Sequence, residues 1–412
     1  MKKKIAAALL AGALLLSLGG CAAGGRDLTK GIASLPATAD LPLEHTGTGA
    51  ITDFGIRLLQ STAQPGVNTL VSPLSVQTAL AMTMNGAEGD TLAEMEEVLG
   101  GERGQLTHLL GDYLKSVEGE QFHAANAIWF ADRQDFTVKE DFLAANQTYF
   151  DAELYQAPMN SGTVKDINRW VSKHTHKMIP EIVDRLPQDA LMCLVNALAF
   201  EGEWPKPYED YQVRDGEFHR EGKSPVEVEF LFGSDNLYLS GEGCTGFIKP
   251  YKGGRYAFAA LLPEENRTVE ELLASLDGEK LTRLLTHPTQ EEVITRIPKF
   301  STEYAVELSG VLSDMGMPLA FTGGADFSGI GETEEGLFID QVLHKTFLEL
   351  GEKGTRAGAA TAVMLAEGAA PDQEEPKKVF LDRPFLYMLV DLEYHTPFFV
   401  GVMQDPGEGG AG

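Results

Sequence analysis

The 412-residue chain has little cysteine and little positive charge, and each shortage removes a class of protein. Three cysteines cannot build a disulfide framework, so the fold has to rest on a packed core. With 43% hydrophobic residues the chain is long enough to bury one large core or two modest ones. Lysine and arginine number 33 against 61 acidic residues, a formal charge of −28 that argues against nucleic acid and anionic lipid surfaces as partners. The same imbalance favours solubility and basic partners. No internal repeat is present, and no linker divides the chain after residue 46. Familiar catalytic and metal motifs are missing too. Gly216 and Gly222 enclose five residues where a phosphate loop needs four. His174 and His176 are two apart rather than at the i, i+4 spacing of a helical metal pair, and read as a solvated face. Asp326-Phe-Ser328-Gly lacks the glycine pattern of a hydrolase elbow. No catalytic residue, cofactor or metal is therefore assigned.

The apolar run Ile5 to Leu18 is too short for a comfortable membrane span. It follows Lys2, Lys3 and Lys4 and ends in Leu18-Gly-Gly-Cys21, which marks residues 1–20 as an export signal. The Leu-x-small-Cys ending resembles a bacterial lipobox, implying cleavage before Cys21 and a diacylglyceryl thioether on its sulfur. An ordinary signal peptide that happens to precede a cysteine is the alternative. Processing would remove three lysines, taking the formal charge from −28 to −31, and would tether the protein outside the cytoplasm by lipid alone. Residues 21–45 are poor in bulky apolar residues and are expected to link the lipid flexibly to a domain spanning 46–405, with 406–412 as a tail. Cys193, inside the apolar run Leu191 to Phe200, and Cys244 are expected to be buried free thiols, although the compartment permits a bond.

Helical spacing runs from Ala50 to Leu59. Val71-Ser72-Pro73 predicts a second helix with Ser72 as its cap, ended by Asn85-Gly86. Further helices are predicted from Asp90 or Thr91 to Leu99, and over Leu106–Val117, Lys139–Ala145 and Val164–Lys173. Phe122–Phe130 alternates as a strand does, and the nearly continuous apolar run Leu191–Phe200 predicts a central strand covered on both faces. Beyond Trp204 strands dominate: Glu227–Phe232, Phe247–Tyr251, Tyr256–Leu262, Val293–Phe300, Leu337–Leu350, Leu386–Val390 and Phe398–Met403. Lys252-Gly-Gly-Arg255 is a hairpin signal between two of them. Early helices, later strands and no βαβ rhythm indicate an α+β domain of several sheets.

One stretch, Gly351 to Lys378, behaves unlike the rest. Its first half is made of small residues with no helical stripe, which by itself suits an exposed loop. Yet it alternates: one parity holds Thr355, Ala357, Ala359, Thr361, Val363 and Leu365, and the only charge, Arg356, lies on the other. Such a segment can be a solvated loop or an internal strand. Taken alone, a flexible Ala/Gly linker is an equally good reading.

The surrounding motifs resemble those of the serpin family, in the family's order, from about residue 50 to 405. They run through Asn68-Thr-Leu-Val-Ser72-Pro-Leu-Ser75, Asn126-Ala-Ile-Trp129, Ile167-Asn-x-Trp170, and Leu194-Val-Asn196 to Trp204. Tyr251-Lys-Gly-Gly, Ile297-Pro-Lys-Phe300, Asp326-Phe-Ser-Gly329, Val342-Leu-His344, Glu352-Lys-Gly-Thr355 and Arg383-Pro-Phe385 continue the series. The resemblance implies a serpin fold, about nine helices around three β-sheets, with a reactive-centre loop at about 352–378. It further implies a monomeric protease inhibitor rather than an enzyme. A serine protease, or sometimes a cysteine protease, cleaves the loop, which inserts into the main sheet before the acyl-enzyme hydrolyses. A non-inhibitory member, acting as cleavable substrate or binding protein, is the alternative, and a surface hydrolase is a remote third.

Matched residue by residue, the resemblance makes Glu352, Gly354, Thr355, Ala357, Ala359, Ala360 and Thr361 the hinge. Ser72, Ser75, Asn196 and His344 become a polar shutter under the sheet, and Trp204 the tryptophan at its open end. Taken singly, Ser72 is a helix cap, His344 a satisfied core histidine and Trp204 a core aromatic. Arg356 departs from the family's usual glutamate but sits at the outward parity, and Gly358 replaces a usual alanine. Counted from Glu352 and Gly354 at the family's usual spacing, the resemblance implies a scissile bond at Gly368-Ala369, with Glu367-Gly368 and Ala369-Ala370 as alternatives. Small residues there suit an elastase- or subtilisin-like pocket, and no Arg or Lys lies between Ala357 and Pro376 to suit a trypsin-like one. Cleavage after Glu367 would point instead to a glutamyl-specific enzyme.

Overall fold

The computed structural model describes residues 25–33, 35, 49–117, 119, 121–187, 190–333, 336–355 and 375–409. Nine α-helices occur among them: α1 (Gly49–Thr62), α2 (Pro73–Met84), α3 (Gly89–Leu99), α4 (Arg103–Val117), α5 (Glu140–Phe150), α6 (Ser161–His174), α7 (Val269–Ser275), α8 (Gly278–Thr286) and α9 (Ser309–Met315). The first six were predicted, five of them within three residues at either end and α5 five residues short at its C-terminal end. At the start of α2 the Ser72 hydroxyl accepts from the Ser75 N–H at 3.2 Å, and Pro73 occupies the first turn, where a missing N–H costs nothing. Every residue of α2 is buried, as an apolar surface on all sides demands. The last three helices are short and were not predicted. The Thr268/Glu271 capping box of α7 and the Asp277 cap of α8 are the local signals that could have found two of them.

The strands are β1 (Arg26–Asp27), β2 (Thr69–Val71), β3 (Phe122–Ala131), β4 (Thr137–Val138), β5 (Glu153–Ala157), β6 (Met192–Phe200), β7 (Gly202–Glu203), β8 (Val213–Phe218), β9 (Val226–Gly241) and β10 (Cys244–Pro250). They continue with β11 (Tyr256–Pro263), β12 (Thr289–Pro298), β13 (Phe300–Glu307), β14 (Gly331–Glu332), β15 (Leu343–Gly351), β16 (Gly354–Thr355), β17 (Lys377–Phe380), β18 (Phe385–Asp391) and β19 (Thr396–Met403). Backbone pairing gives three main sheets, the expected number, and a ribbon of β14 with β4. One sheet has nine strands, in the order β17-β12-β9-β10-β11-β18-β19-β2 with β8 added to β9. The other two have four strands each, β1-β5-β3-β6 and β13-β15-β16-β7.

β6 is covered on both faces, as its sequence predicts. Met192, Leu194, Leu198 and Phe200 enter the main core, while Cys193, Val195 and Ala197 face a smaller cluster with Trp129, Ile167 and Trp170 beneath α6. Cys193 and Cys244 are both free and buried, and burial pushes both thiols up to about 12.

Four sequence expectations need correction. Residues 25–33 are not a flexible linker: β1 pairs antiparallel with β5, Leu28 N–H donates to Leu154 O at 2.7 Å, and Leu28 and Ile32 pack on the core. The run Val293–Phe300 is two strands in different sheets, because Pro298 offers no N–H to continue the ladder and Lys299 turns the chain from β12 into β13. Leu337–Val342 does not belong to β15; it is tied down by single hydrogen bonds such as Ile339 N–H to Ala320 O. His174 is not solvated but held by Glu153 at 3.2 Å and by the Trp170 carbonyl, while the ring of the exposed His176 lies tilted against that of His123 with centroids 4.1 Å apart.

Candidate functional site

The two four-stranded sheets lie edge to edge. β15 runs in contact with β6, yet among the described residues the two share no ladder pairing. Just beyond the end of β6 the chain forms β7, and here the gap is filled by β16. Leu350 pairs with Thr355 and Gly351 with Gly354 on one side, and Gly354 pairs with Glu203 and Thr355 with Gly202 on the other. The halves thus make one wide sheet with a strand position that, among the described residues, only Gly354 and Thr355 occupy.

Close approach of backbones fixes those two residues. Gly354 adopts φ 140°, and a Cβ there would lie 1.9 Å from Gly202 O. A Cβ on Gly202 would in turn strike the Phe200 and Tyr251 rings at 2.7 Å. Thr355 is 2% exposed, in keeping with the inward parity expected of it, and its hydroxyl bonds the buried Tyr251 hydroxyl. Burial pushes the Tyr251 phenol far above its usual range, so it is a neutral partner.

Trp204 closes the same end. Its ring stacks on Tyr251 with centroids 4.6 Å apart, its indole N–H donates to Gly351 O at 3.0 Å, and its backbone N–H donates to Lys353 O at 2.8 Å. The Tyr208 N–H adds a bond to Glu352 O at 2.9 Å. Burial works against the Glu352 carboxylate, but the Lys299 ammonium 2.7 Å away outweighs it and lowers the pKa. Lys299 also reaches Glu229 at 2.6 Å, so the residue at the turn between β12 and β13 ties both sheets to Glu352. Beneath Trp204, Lys249 lies over the rings of Trp204 and Tyr208 and pairs with Asp235 at 3.2 Å. Burial opposes the Lys249 charge, yet Asp235 more than compensates and holds it protonated.

Farther down the gap, Ser72, Ser75 and His344 meet as a connected polar group. The Ser72 N–H donates to His344 Nε2 at 3.0 Å and its hydroxyl donates to Phe398 O at 2.8 Å. His344 Nε2 is therefore an acceptor and the ring neutral, consistent with burial, which drives its pKa down to about 4. A cavity of about 10 Å³ opens between this group and the gap, lined by Ser75, Ala79 and Leu80 of α2, Leu194 of β6, and Leu343 and His344 of β15. Asn196 pairs with Asn126 along β6 and β3, but its side chain lies outside the described ones. Ala357, Ala359, Ala360 and Thr361 of the hinge, Glu367, Gly368, Ala369 and Ala370 around the expected cleavage point, and Cys21 are likewise outside the described residues.

Sequence reasoning missed Tyr251, Lys299 and Tyr208 as partners of Thr355 and Glu352. Tyr251 and Lys299 stand inside motifs that carry the resemblance, Tyr251-Lys-Gly-Gly and Ile297-Pro-Lys-Phe300, but no role was assigned to either side chain.

A family profile described as "Serpin (serine protease inhibitor)" matches residues 49–406. An uncharacterised serpin-like protein of Thermococcus kodakarensis is 30% identical over 384 residues, covering 89% of this chain and 87% of that one. Iripin-2 of Ixodes ricinus is 31% identical over 377 residues, covering 86% and 92%. Among solved structures, the thermophilic serpin tengpin in its native state superposes with a TM-score of 0.87 at 36% identity, covering 92% of this chain and 99% of that one. Tengpin in its latent state gives 0.77 at 33% identity, covering 90% and 100%. The described residues thus resemble the native arrangement more than the latent one.

Proposed function

The chain belongs to the serpin family, whose members are typically protease inhibitors and not enzymes, and from that premise we propose that it is an inhibitory member that traps its protease by completing the half-filled strand. The observation that carries the reading is the gap itself. β6 and β15 present facing edges without mutual pairing, and Gly354 and Thr355 already stand at one end of the position between them. When a protease cuts the chain beyond the hinge and is held as an acyl-enzyme, the freed segment from Arg356 to about Ala366 extends β16 along the gap. About ten new ladder bonds at a net ~0.5–1.5 kcal/mol each release roughly 5–15 kcal/mol before side-chain burial. The inward parity of Ala357, Ala359 and Thr361 suits this, since none of these side chains carries charge into the sheet.

The target we propose is a serine protease with a shallow specificity pocket, elastase- or subtilisin-like, acting at Gly368-Ala369 or one bond to either side. We also place the protein outside the cytoplasm on a lipid carried by Cys21, on the strength of the lipobox-like sequence; a Cys21→Ala variant that still incorporates labelled fatty acid would refute this. Mixing the chain with pancreatic elastase and with subtilisin tests the inhibitory reading in one gel. A band near the summed masses that survives detergent is expected, and mass spectrometry of the released peptide identifies the bond. Clean cleavage with undiminished protease activity would show a substrate and sink the proposal.

A further inference from the structure

Both roots of the loop-bearing region converge on one short surface segment. At the departing root the Tyr208 N–H bonds Glu352 O at 2.9 Å, and at the returning root the His219 N–H bonds Asp382 O at 2.7 Å. Between them the chain makes a single 3-10 turn, Asp210–Gln212, and then β8. A second route links the same points through side chains. Arg214 lies over the Phe232 ring at 5.3 Å, Arg296 lies over the same ring at 5.6 Å, and Arg296 reaches Asp382 at 4.0 Å.

The tip of this segment carries Tyr211, 71% exposed, one of two large hydrophobic side chains left open among the described residues; the other is Val67. An exposed aromatic alone means little. This one stands on a turn that four hydrogen bonds lock: Gln212 N–H to Glu209 O (2.8 Å), Glu209 N–H to Gln212 Oε1 (3.1 Å), Gln212 Nε2 to Phe232 O (3.1 Å) and Arg214 Nε to Tyr211 O (3.1 Å). A rigid platform removes much of the ordering cost that a partner would otherwise meet. Tyrosines in this setting are common binding hot spots, and their surroundings serve mainly to exclude water. Those surroundings are acidic: Glu209, Asp210, Asp215 and Glu217 are exposed, against Lys206 and the already engaged Arg214.

We infer that residues 209–217 form a second contact for the protease body, outside the cleaved segment, with Tyr211 as anchor and the carboxylates steering a basic rim. The inference rests on the inhibitory reading, because only a protease engaged between the two roots is brought against this face. The overall charge of −28 extends the steering field beyond the segment. The surface therefore selects among proteases whose specificity pockets are alike.

The test uses the full chain and pancreatic elastase as probe. Tyr211→Ala is expected to slow the second-order rate of complex formation about tenfold. Stoichiometry and melting temperature should be unchanged, and Tyr211→Phe should restore most of the rate. Asp215→Asn combined with Glu217→Gln should flatten the dependence of that rate on salt. A wild-type chain that traps elastase while Tyr211→Ala traps it within twofold of the same rate refutes this surface and leaves the inhibitory reading intact. A wild-type chain that traps neither elastase nor subtilisin refutes both. Loss of a dimer in Tyr211→Ala with an unchanged trapping rate would assign the surface to self-association and overturn the protease contact.

Discussion

Thr355→Arg places a charge where the strand gap begins. In the intact protein Thr355 is 2% exposed, flanked by β15 and β7, with its hydroxyl on Tyr251. A guanidinium at this position finds no carboxylate on Tyr251 and strips one buried partner from its phenol. Breaking the pairing of a buried polar group costs about 1–3 kcal/mol, and an uncompensated buried charge several more, so ~3 kcal/mol is a conservative total. Before cleavage the variant escapes most of this by letting β16, two residues long among those described, swing out to solvent. After cleavage it cannot, because each further paired residue draws position 355 deeper between strands. Insertion competes with hydrolysis of the acyl-enzyme, and ~3 kcal/mol on its barrier slows it roughly a hundredfold. The measurable outcome is the number of inhibitor molecules consumed per protease inactivated. It should rise by up to about a hundredfold, with cleaved monomer replacing the detergent-stable band. Thr355→Ser, which keeps the hydroxyl, should behave as wild type. Trapping by Thr355→Arg at wild-type stoichiometry would refute both the parity assigned to the hinge and the claim that the strand position drives inhibition.

Two further outcomes follow from neighbouring residues. His344, depressed to about 4 by burial, binds fewer protons folded than unfolded between pH 4 and its usual 6.5, so its contribution is complete above 6.5 and is lost as the pH falls. The loss amounts to about 2 kcal/mol by pH 5, read as a urea-midpoint shift that His344→Gln should largely abolish; an unchanged slope in that variant would show that the ring does not titrate as argued. Gly354→Ala forces a Cβ against Gly202 O at a backbone angle that favours glycine, and should release β16. Hydrogen exchange at Thr355 and a red shift of tryptophan emission would report the release, and continued protection of the Thr355 amide would contradict the packing described.

What could be read from the sequence was what neighbouring residues decide. Ser72-Pro73 announced α2 because a cap and a proline act within one turn, and Leu191–Phe200 announced β6 because burial on both faces leaves an unbroken apolar run. The burial of Thr355 follows the alternation read there, while the rest of that stretch lies outside the described residues. Contacts between distant segments were not. Lys299 and Glu352 are 53 residues apart, and nothing local to either names the other. The pairing of Arg26 and Asp27 with β5 was hidden by a polar, glycine-rich sequence whose order comes from the strand edge it meets. Short helices such as α9 lacked the length for a periodic signal.

The gap between β6 and β15 has a consequence for the protein at high local density. Strand edges left unpaired among the described residues accept main-chain amides and carbonyls of any sequence, so recognition there is a matter of which strand arrives first. The chain's own segment is favoured by tethering: attached at Thr355, it is present at an effective concentration on the order of millimolar. In dilute solution a strand from another copy, at micromolar concentration or below, loses that race by roughly a thousandfold. Crowding on a surface narrows the advantage, because neighbouring copies then approach the same effective concentration. An acidic exterior, −28 over the whole chain, keeps such neighbours apart and protects the gap for its own strand.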